Sequence, residues 1–460
     1  MDETRTIAAR GDAPMPTRPS LRLTVVSGPD AGSAVEARGE VARIGRGDTV
    51  ELRLRDPHVS QFHAELSVTP AGRVRVRDLG SRNGTHVGPA ALDDAAVLPG
   101  TVLTLGATSV RVELGVAVES PESSATSFGA LVGTSPAMRS LFALLQRLAR
   151  TDLSVLIEGE TGTGKELVAR ALHEQGRRAA GPFVVLDCSA VPATLAQSVL
   201  FGHEKGAFTG ASERRVGVFE AAAGGTVFLD EVGELSPELQ PMLLRVLQAR
   251  EVQPLGASRP RPVDVRVLCA TWRDLRAMIN RGAFREDLFY RLAQATVRVP
   301  PLTAREGDVP TLVTHLLARI PPHVQAARSI TPEALDALVA RRYPGNVREL
   351  ASTVERLALL ADGPVITAAD LAFDRMLGAA RGPAPSHEAP PPPVPTGDEV
   401  QPFKEAKRTL VDEFERAYLA RLLVRCDNNL SRAAAVADLK RFNLRELLKK
   451  HGLYDRRRDG

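Results

Sequence analysis

Cysteine is scarce in this 460-residue chain, which has only Cys188, Cys269 and Cys426. The three lie far apart and are odd in number, so they predict neither a disulfide framework nor a zinc site. Reduced thiols without such a framework are typical of cytoplasmic proteins, and we expect this location.

Long apolar runs are also missing. No stretch of about 18 apolar residues occurs, so we expect no transmembrane helix and no membrane partner. Residues 1–20 lack an apolar segment, so we expect no secretory signal. Neither sign of charge is in excess, since 59 Lys and Arg stand against 55 Asp and Glu for a net charge of +4. The whole-chain charge therefore makes no case for nucleic-acid binding, and only its local distribution can.

The composition that remains predicts several globular domains. Hydrophobic residues make up 43% and charged residues 25%, an ordinary globular balance, and the length exceeds that of one domain. Short β-like runs separated by turn residues predict an all-β sandwich or barrel first, and alternating helices and apolar strands predict an α/β domain after it. The predicted order is a disordered segment 1–20, a β-sandwich 21–116, a linker 117–130, an α/β domain 131–377, a proline-rich tether 378–401 and a helical, basic tail 402–460.

Residues 154–172 read as an apolar strand, a glycine-rich turn and an amphipathic helix. Gly159, Gly164 and Lys165 satisfy G-x-x-x-x-G-K in this context. Backbone N–H groups of such a turn approach phosphate oxygens, and the lysine reaches the β- and γ-phosphates. Glu166 follows where a Ser or Thr is usual, so a hydroxyl contact to Mg²⁺ is missing. The predicted nucleotide site comprises Gly159, Glu160, Thr161, Gly162, Thr163, Gly164, Lys165 and Glu166.

The stretch GGTVFLDEVGEL (224–235) supplies the acidic half of the site. Asp230 and Glu231 follow a buried strand, at the sheet edge where ligands bind in parallel sheets. We expect Asp230 to hold Mg²⁺ directly or through water and Glu231 to polarise the attacking water. The alternative is an acidic strand end that caps the next helix.

Three arginines downstream are candidates for phosphate contacts. Arg285 and Arg291 lie six residues apart, a step that does not keep one helix face, so they would serve different partners. One would complete a neighbouring copy's site as an arginine finger; surface salt bridges are the alternative. Arg348 in YPGNVREL would touch the nucleotide from a small helical lid.

Residues 131–375 resemble the AAA+ domain of bacterial enhancer-binding proteins, the activators of sigma-54 RNA polymerase. The chain carries LVGTSPAM, GETGTGKE, LFGHEKGAFTGA, FLDEVGEL, FREDLFYRL and YPGNVREL in the family's order. The resemblance implies ATP hydrolysis in a homo-oligomeric ring, often a hexamer, that remodels the closed promoter complex. It also implies that Arg285 and Arg291 are arginine fingers, that Arg348 is sensor II, and that Thr271 belongs to sensor I. The implied sigma-54 contact is the loop Gly206, Ala207, Phe208, Thr209, Gly210 and Ala211.

Two positions depart from the family pattern. Asp187 stands where an Asn usually links the catalytic Glu to the sigma-contacting loop, and an Asp cannot donate like an amide. We therefore expect altered coupling to Glu231, with like-charge repulsion. Trp272 stands where sensor I has an Asn, so the amide partner for the γ-phosphate is lost.

The sandwich region resembles a forkhead-associated (FHA) domain, a reader of phosphothreonine peptides. The resemblance rests on Gly45-Arg46, Ser60-x-x-His63 and Asn83-Gly84-Thr85. Arg46 can fork onto a phosphate and Ser60 can donate its hydroxyl, while His63 is expected to be structural. A non-binding sandwich that only packs on the ATPase is the alternative. The predicted phosphopeptide residues are Arg46, Ser60, Gln61, Arg82 and Asn83, and the partner is a phosphothreonine protein or Ser/Thr kinase.

The tail resembles a Fis-type helix-turn-helix. A long amphipathic helix over 403–426 precedes a helix–turn–helix pattern over 429–453, whose second helix is expected at about 440–450. Its cations form an electrostatic footprint for phosphates, and Asn443 and Arg445 suit base edges of upstream enhancer DNA. A basic, solvated helix is the alternative. The predicted DNA-binding residues are Lys440, Arg441, Asn443, Arg445 and Lys449.

These features predict an ATP-dependent activator with an FHA β-sandwich, an α/β AAA+ domain with a helical lid, and an all-α helix-turn-helix. ATP and Mg²⁺ are the expected cofactors. Two other functions remain open: a generic phosphopeptide-regulated AAA+ remodeller, and a hydrolysis-impaired DNA-binding repressor.

Overall fold

The computed structural model describes residues 17–39, 41–69, 71–119, 123–208, 211–321, 327–361, 363–372, 374, 419 and 441–450. The chain divides into two compact units, residues 1–378 and residues 379–460. The long helix expected at 403–426 and most of the helix-turn-helix lie outside the described residues.

The first unit begins with a sandwich of two β-sheets. One sheet has the order β2-β1-β11-β10-β7-β8 and the other the order β4-β3-β5-β6-β9. Alternation along β6 buries Val74 and Val76 and exposes the arginines between and after them, as expected for a strand with one face in a core. The strands are β1 (Thr17–Ser27), β2 (Ala34–Ala37), β3 (Val41–Gly45), β4 (Leu52–Arg53), β5 (Ala64–Val68), β6 (Val74–Asp78), β7 (Thr85–Val87), β8 (Ala90–Leu92), β9 (Asp94–Val97), β10 (Val102–Leu105) and β11 (Thr108–Glu119).

The sandwich is longer than the sequence indicated. β1 begins at Thr17, inside the segment 1–20 expected to be disordered, and pairs Thr17 with Glu119 at the far end of β11. Backbone pairing of two long antiparallel strands thus extends past the apolar positions that marked the predicted boundary.

The segment 117–130, expected to be a linker, ends in structure. β12 (Ser127–Phe128) pairs with β13 (Leu131–Val132). Phe128 and Leu131 are buried in a core cluster with helix α1 (Pro136–Ala149). The segment is therefore fixed to the next domain by apolar contacts that its Ser- and Glu-rich composition hid.

A five-stranded parallel sheet of order β15-β16-β19-β14-β20 forms the centre of the α/β domain. The strand order places β14 between β19 and β20, so the turn after β14 opens at the sheet's carboxyl edge beside the ends of its neighbours. The five strands of the sheet are β14 (Val155–Glu158), β15 (Phe183–Asp187), β16 (Thr226–Asp230), β19 (Arg266–Thr271) and β20 (Ala295–Arg298), while β17 (Glu251–Val252) and β18 (Arg261–Pro262) form a separate antiparallel pair. The helices of the domain are α2 (Lys165–Glu174), α3 (Ala193–Phe201), α4 (Val218–Ala221), α5 (Gln240–Ala249), α6 (Leu275–Asn280) and α7 (Glu286–Leu292), with a 3-10 helix at Val232–Glu234.

A small helical lid follows the sheet. Its core joins Leu312 and Val313 to Leu350, Val354 and Leu357. These residues recur at helical spacing, which gives each helix one apolar face. The elements are a 3-10 helix at Leu302–Ala304, α8 (Asp308–Arg319), β21 (Ser329–Ile330), α9 (Pro332–Val339), α10 (Asn346–Leu360) and β22 (Val365–Ile366).

In the second unit, α11 (Arg441–Lys450) is a helix, as predicted for residues 440–450. Leu444 and Leu448 are buried while Arg445 and Lys449 are exposed, so the helix has two faces. No helix within the described residues combines the length and apolarity that a bilayer crossing needs.

Candidate functional site

The predicted nucleotide loop connects β14 to α2. Gly162 and Gly164 have φ of 80° and 102°, which a side chain would disfavour. Lys165 is buried at the start of α2, and its Nζ donates to the Gly159 carbonyl at 3.0 Å. Its ammonium also lies 3.6 Å from the Glu231 carboxylate. The loop therefore holds a preformed cation at a helix N-terminus, as phosphate binding requires.

Asp230 and Glu231 lie at the carboxyl end of β16. Glu231 has φ 52°, a left-handed conformation that is uncommon for a side chain. Its N–H donates to Asp230 Oδ1 at 3.1 Å. Burial raises the pKa of both carboxyls above their ordinary values, against the opposing charge of Lys165. A half-buried, electron-rich pair of this kind favours a divalent cation and a polarised water.

Sensor I is divided between backbone and side chain. The Trp272 N–H donates to Glu231 Oε2 at 3.2 Å, so the main chain holds the Glu231 carboxylate. Thr271 is buried, and its Oγ1 accepts from the Arg273 N–H at 3.0 Å. The Trp272 side chain is 56% exposed beside the Arg273 guanidinium. Position 272 therefore carries an exposed indole, whose single polar group is one N–H donor, in place of the usual amide.

Asp187 is turned toward its own loop. Its Oδ1 accepts from the N–H and the hydroxyl of Ser189 at 2.8 and 2.6 Å. It stands beside Asp230 in strand register, and its charge adds to burial in raising the pKa of Asp230. The expected like-charge repulsion thus falls on Asp230, while Asp187 bonds to Ser189.

The lid reaches the nucleotide loop through one turn. The Arg348 N–H donates to the Gly162 carbonyl at 3.2 Å, and the Arg348 side chain is exposed. A Cβ on Gly162 would come 2.2 Å from the Gly345 carbonyl oxygen, so only glycine permits this approach. The backbone of Arg348 is therefore held next to the predicted phosphate loop, and its side chain extends from this fixed position.

Asn346 is a site residue that the sequence reasoning missed. Its Nδ2 donates to Glu160 Oε2 at 3.0 Å and to the Thr161 carbonyl at 3.1 Å, while its Oδ1 accepts from the Leu302 N–H at 2.8 Å. It is buried with φ 53°. The signal was the PGN tripeptide, since Asn tolerates left-handed φ better than most residues.

Arg305 was also missed. Its Nη2 donates to the Thr163 carbonyl at 2.8 Å and its Nε to the Pro300 carbonyl at 3.0 Å. Burial lowers its pKa to about 10. A buried arginine between lid and loop fixes the back of the nucleotide loop, and nothing in the sequence around it marks that role.

The two finger candidates lie at opposite ends of α7. Arg285 occupies the N-cap position and pairs with Asp287 at 2.7 Å, whereas Arg291 lies in the last turn and lines a cavity together with Asp152 and Gln294. Both side chains are exposed. That they serve different partners stays a prediction, and the Arg285–Asp287 pair fits the salt-bridge alternative.

The loop after α3 presents an aromatic side chain. Phe208 is 42% exposed and rests edge-on against His203, with ring centroids 5.0 Å apart. Gly206 has φ 82° and its N–H donates to the Ala211 carbonyl at 2.8 Å. The aromatic side chain of the implied sigma-54 contact is thus accessible to a partner. Thr209 and Gly210 lie outside the described residues.

The predicted phosphopeptide residues converge on one edge of the sandwich. Ser60 Oγ accepts from the Arg82 N–H at 3.0 Å, and the Asn83 side chain donates to the His58 carbonyl at 2.7 Å. The Arg46 side chain is exposed on the loop after β3. Gln61 differs from the others because its amide donates to Glu286 on α7.

Two buried residues hold this edge. His63 Nδ1 accepts from the Ser60 N–H at 3.1 Å, which leaves Nε2 to donate to the Gly84 carbonyl at 3.1 Å. Burial lowers the pKa of His63 and keeps it neutral, as expected for a structural histidine. Asp56 accepts from the N–H groups of His58 and Ala107.

Of the predicted DNA-binding residues, Arg445 and Lys449 are exposed on α11. Arg441 and Asn443 lie on the same helix. Lys440 lies outside the described residues.

Family models match three segments of the chain. The "Sigma-54 interaction domain" model matches residues 131–298, and the "AAA+ ATPase lid domain" model matches residues 303–387. The model described as "Inner membrane component of T3SS, cytoplasmic domain" matches residues 24–114.

Characterised relatives are transcriptional regulators. NtrC of Azospirillum brasilense is 53% identical over 236 residues, 51% of this chain and 49% of that protein. ZraR of Klebsiella oxytoca is 45% identical over 297 residues, 64% of each chain. The chain thus spans about half to somewhat under two thirds of the length of these relatives.

Two solved structures are similar to parts of the chain. NtrX of Brucella abortus in complex with ATP is 36% identical and covers 70% of this chain and 69% of its own, with a TM-score of 0.50. A structure from a study of phosphothreonine-dependent FHA domain interactions is 30% identical over 21% of this chain and 98% of its own, with a TM-score of 0.19.

Proposed function

We propose, from the premise that this chain belongs to the sigma-54-dependent transcriptional activators, that it hydrolyses ATP to drive sigma-54 RNA polymerase from the closed to the open promoter complex. The observation that carries the proposal is the junction of Lys165, Asp230 and Glu231 at one sheet edge, with the exposed Phe208 on the same domain. The first group suits phosphoryl transfer and the second suits burial in a partner.

Each residue of the site has a defined part in hydrolysis. Backbone N–H groups of residues 159–164 and the Lys165 ammonium bind the phosphates, and Arg348 approaches them from the lid. Glu231, with its raised pKa, accepts a hydrogen bond from the attacking water and aligns it. Asp230 would hold Mg²⁺, which neutralises developing charge on the phosphates. Arg285 and Arg291 would act on the nucleotide of an adjacent copy in a ring, often a hexamer.

We further propose that hydrolysis moves the loop 206–211 against sigma-54. Gly206, with its left-handed φ, lets the loop change conformation, and Phe208 supplies an apolar tip. Bonds within the loop, from Gly206 N–H to Ala211 and from Ala211 N–H to Phe208, keep the tip compact. These features support a loop that moves as a unit when ATP is hydrolysed.

Input and targeting are assigned to the flanking domains. The FHA-like edge of Arg46, Ser60, Gln61, Arg82 and Asn83 would read a phosphothreonine segment, because a guanidinium, a hydroxyl and amides converge there. The exposed cations of α11 would contact upstream enhancer DNA through its phosphates.

Open-complex formation in vitro tests the proposal. The full chain is incubated with sigma-54 polymerase, promoter DNA and ATP, with and without a phosphothreonine peptide library. We expect open complexes with wild type and none with Thr209→Ala. Ser212→Ala, which removes the hydroxyl of an exposed serine next to the loop, is the control and should form open complexes.

The outcomes separate the candidate functions. ATP turnover without open complexes under any input would leave the generic remodeller as the better reading. Absence of ATP turnover with retained DNA binding would instead identify a repressor.

A further inference from the structure

The predicted phosphopeptide edge of the sandwich is in contact with the helix that carries the finger arginines. The Gln61 amide donates to the Glu286 carboxylate in the first turn of α7. Asn280, the last residue of α6, donates to the carbonyl oxygens of Phe62 and Leu79, the second at 2.9 Å. The sandwich thus binds the α6–α7 corner through backbone as well as side-chain groups.

Apolar contact makes this interface specific. Phe62 is 1% exposed and meets Phe289 of α7 edge-on, with centroids 5.7 Å apart. Phe62 and Leu79 of the sandwich belong to the same core cluster as Leu275 and Phe284 of the α/β domain. A continuous apolar core across two domains indicates a docked state with its own stability.

Charges frame the same contact. Arg298 at the end of β20 bonds to Glu65 of β5 at 2.9 Å, and Arg77 of β6 pairs with Asp274 at 3.1 Å. Glu65 is largely buried and also receives Arg43. These pairs fix the orientation of the sandwich on the ATPase sheet, because a buried carboxylate needs its partners.

The docked surface and the peptide edge share atoms. Arg46 and Gly47 donate their N–H groups to the carbonyls of Ser60 and Gln61, each at 3.0 Å, so the two loops move together. A Cβ on Gly47 would lie 3.6 Å from the Tyr290 hydroxyl of α7. Arg46 remains exposed at the margin of this contact. A peptide that engaged Arg46, Ser60 and Gln61 would therefore meet Glu286 and Tyr290.

We propose that this edge is a dual docking surface, on which α7 of the same chain and a phosphothreonine peptide compete. The proposal rests on the proposed recognition of phosphothreonine peptides by the sandwich. The Gln61 amide that a peptide would use already donates to the Glu286 carboxylate. Peptide binding therefore requires this hydrogen bond between Gln61 and Glu286 to break. Because α7 carries Arg285 and Arg291, release couples the phosphorylated signal to the fingers that a neighbouring copy needs. By linkage, each ligand weakens the other by the same factor.

Peptide affinity of the full chain tests the competition. The probe is a fluorescent degenerate phosphothreonine peptide library, with the unphosphorylated library as its control, measured by anisotropy. Two variants loosen docking from the ATPase side, Glu286→Ala and Asn280→Ala. Glu333→Ala is the matched control, since Glu333 is an exposed acid in the first turn of α9.

We expect both docking variants to bind the phosphorylated library about tenfold tighter than wild type, with Glu333→Ala unchanged. Arg46→Ala added to any of them should abolish binding. We also expect the library to accelerate hydrogen exchange of amides 286–292 in wild type.

Each outcome has one meaning. If wild type and both docking variants bind the library with equal, Arg46-dependent affinity, and hydrogen exchange of α7 does not change, the competition is wrong. Recognition of phosphothreonine by the sandwich would still hold in that case. Absence of binding by every chain overturns both.

Discussion

At the scale of single residues, the backbone at position 272 bonds to Glu231 independently of the side chain that stands there. Glu231 is held by the Trp272 N–H, a group that any residue at this position supplies. The missing Asn amide therefore affects only contacts beyond Glu231. Trp272 should change the rate of hydrolysis rather than the geometry of the catalytic carboxylate.

We expect Trp272→Asn to raise kcat for ATP hydrolysis by about tenfold, since one hydrogen bond to a charged transition state contributes roughly 1.5 kcal/mol. Trp272→Leu keeps the backbone bond without an amide and should leave kcat near wild type. Steady-state phosphate release measures both. An unchanged rate in Trp272→Asn would remove sensor I from the mechanism.

Asp56, which accepts from His58 beside the predicted phosphopeptide residues, makes the stability of the sandwich dependent on pH. Burial would raise its pKa, but hydrogen bonds from His58, Thr108 and Ala107 outweigh burial and hold the pKa below its usual 3.8. A carboxyl with a lowered folded pKa stabilises the fold above its unfolded pKa, and this contribution is lost as the pH falls through the folded pKa.

We therefore expect Asp56→Asn to lower the free energy of unfolding by about 2 kcal/mol at pH 7, with the difference from wild type shrinking below about pH 4. Urea denaturation across this range measures it. Asp94→Asn, which breaks an exposed pair with Arg75, should cost well under about 1 kcal/mol. A difference for Asp56→Asn that stays constant down to pH 3 would contradict the assignment.

At the scale of elements, the turn that leads into α10 through Asn346, the first residue of this helix, connects the nucleotide loop to the start of the lid. Asn346 bonds to Glu160 and Thr161 in the nucleotide loop and to Leu302 at the start of the lid. Both the Nδ2 and the Oδ1 of Asn346 are engaged. A rotation of the lid away from the nucleotide loop must therefore break the bonds to Glu160 and Thr161. The turn is thus a positioning element for Arg348, two residues further on.

We expect Asn346→Asp to raise the KM for ATP by about tenfold. Aspartate tolerates the left-handed φ but cannot donate, and it sets a second carboxylate beside Glu160. Asn346→Gly keeps the backbone and adds no charge, so its effect should be smaller. Initial-rate measurements over a range of ATP concentrations distinguish them, and equal KM values for wild type and Asn346→Asp would contradict this role.

At the scale of the whole molecule, local patterns predicted the domain types but missed the contacts between domains. The G-x-x-x-x-G-K turn and the acidic end of β16 are short motifs of fixed spacing, and the structure brings Lys165 and Glu231 together as predicted. Phe62 lies in the loop before β5 of the sandwich, yet its side chain belongs to a core shared with α7. Such contacts join residues more than 200 positions apart, and no local spacing encodes them.

The charge pair Glu65–Arg298 tests whether the sandwich and the ATPase sheet unfold as one unit. Glu65→Gln and Arg298→Ala should each destabilise the chain, and the double variant should show an interaction energy of about 1 kcal/mol, because the carboxylate is largely shielded from water. The exposed pair Arg75–Asp94 within the sandwich should give less. Trp272, the single tryptophan of the chain, reports on the ATPase, and far-UV circular dichroism reports on all domains. If the fluorescence and circular dichroism transitions coincide in wild type but separate in the Glu65→Gln chain, this pair joins the two domains. If the effects of the two substitutions are additive, it does not.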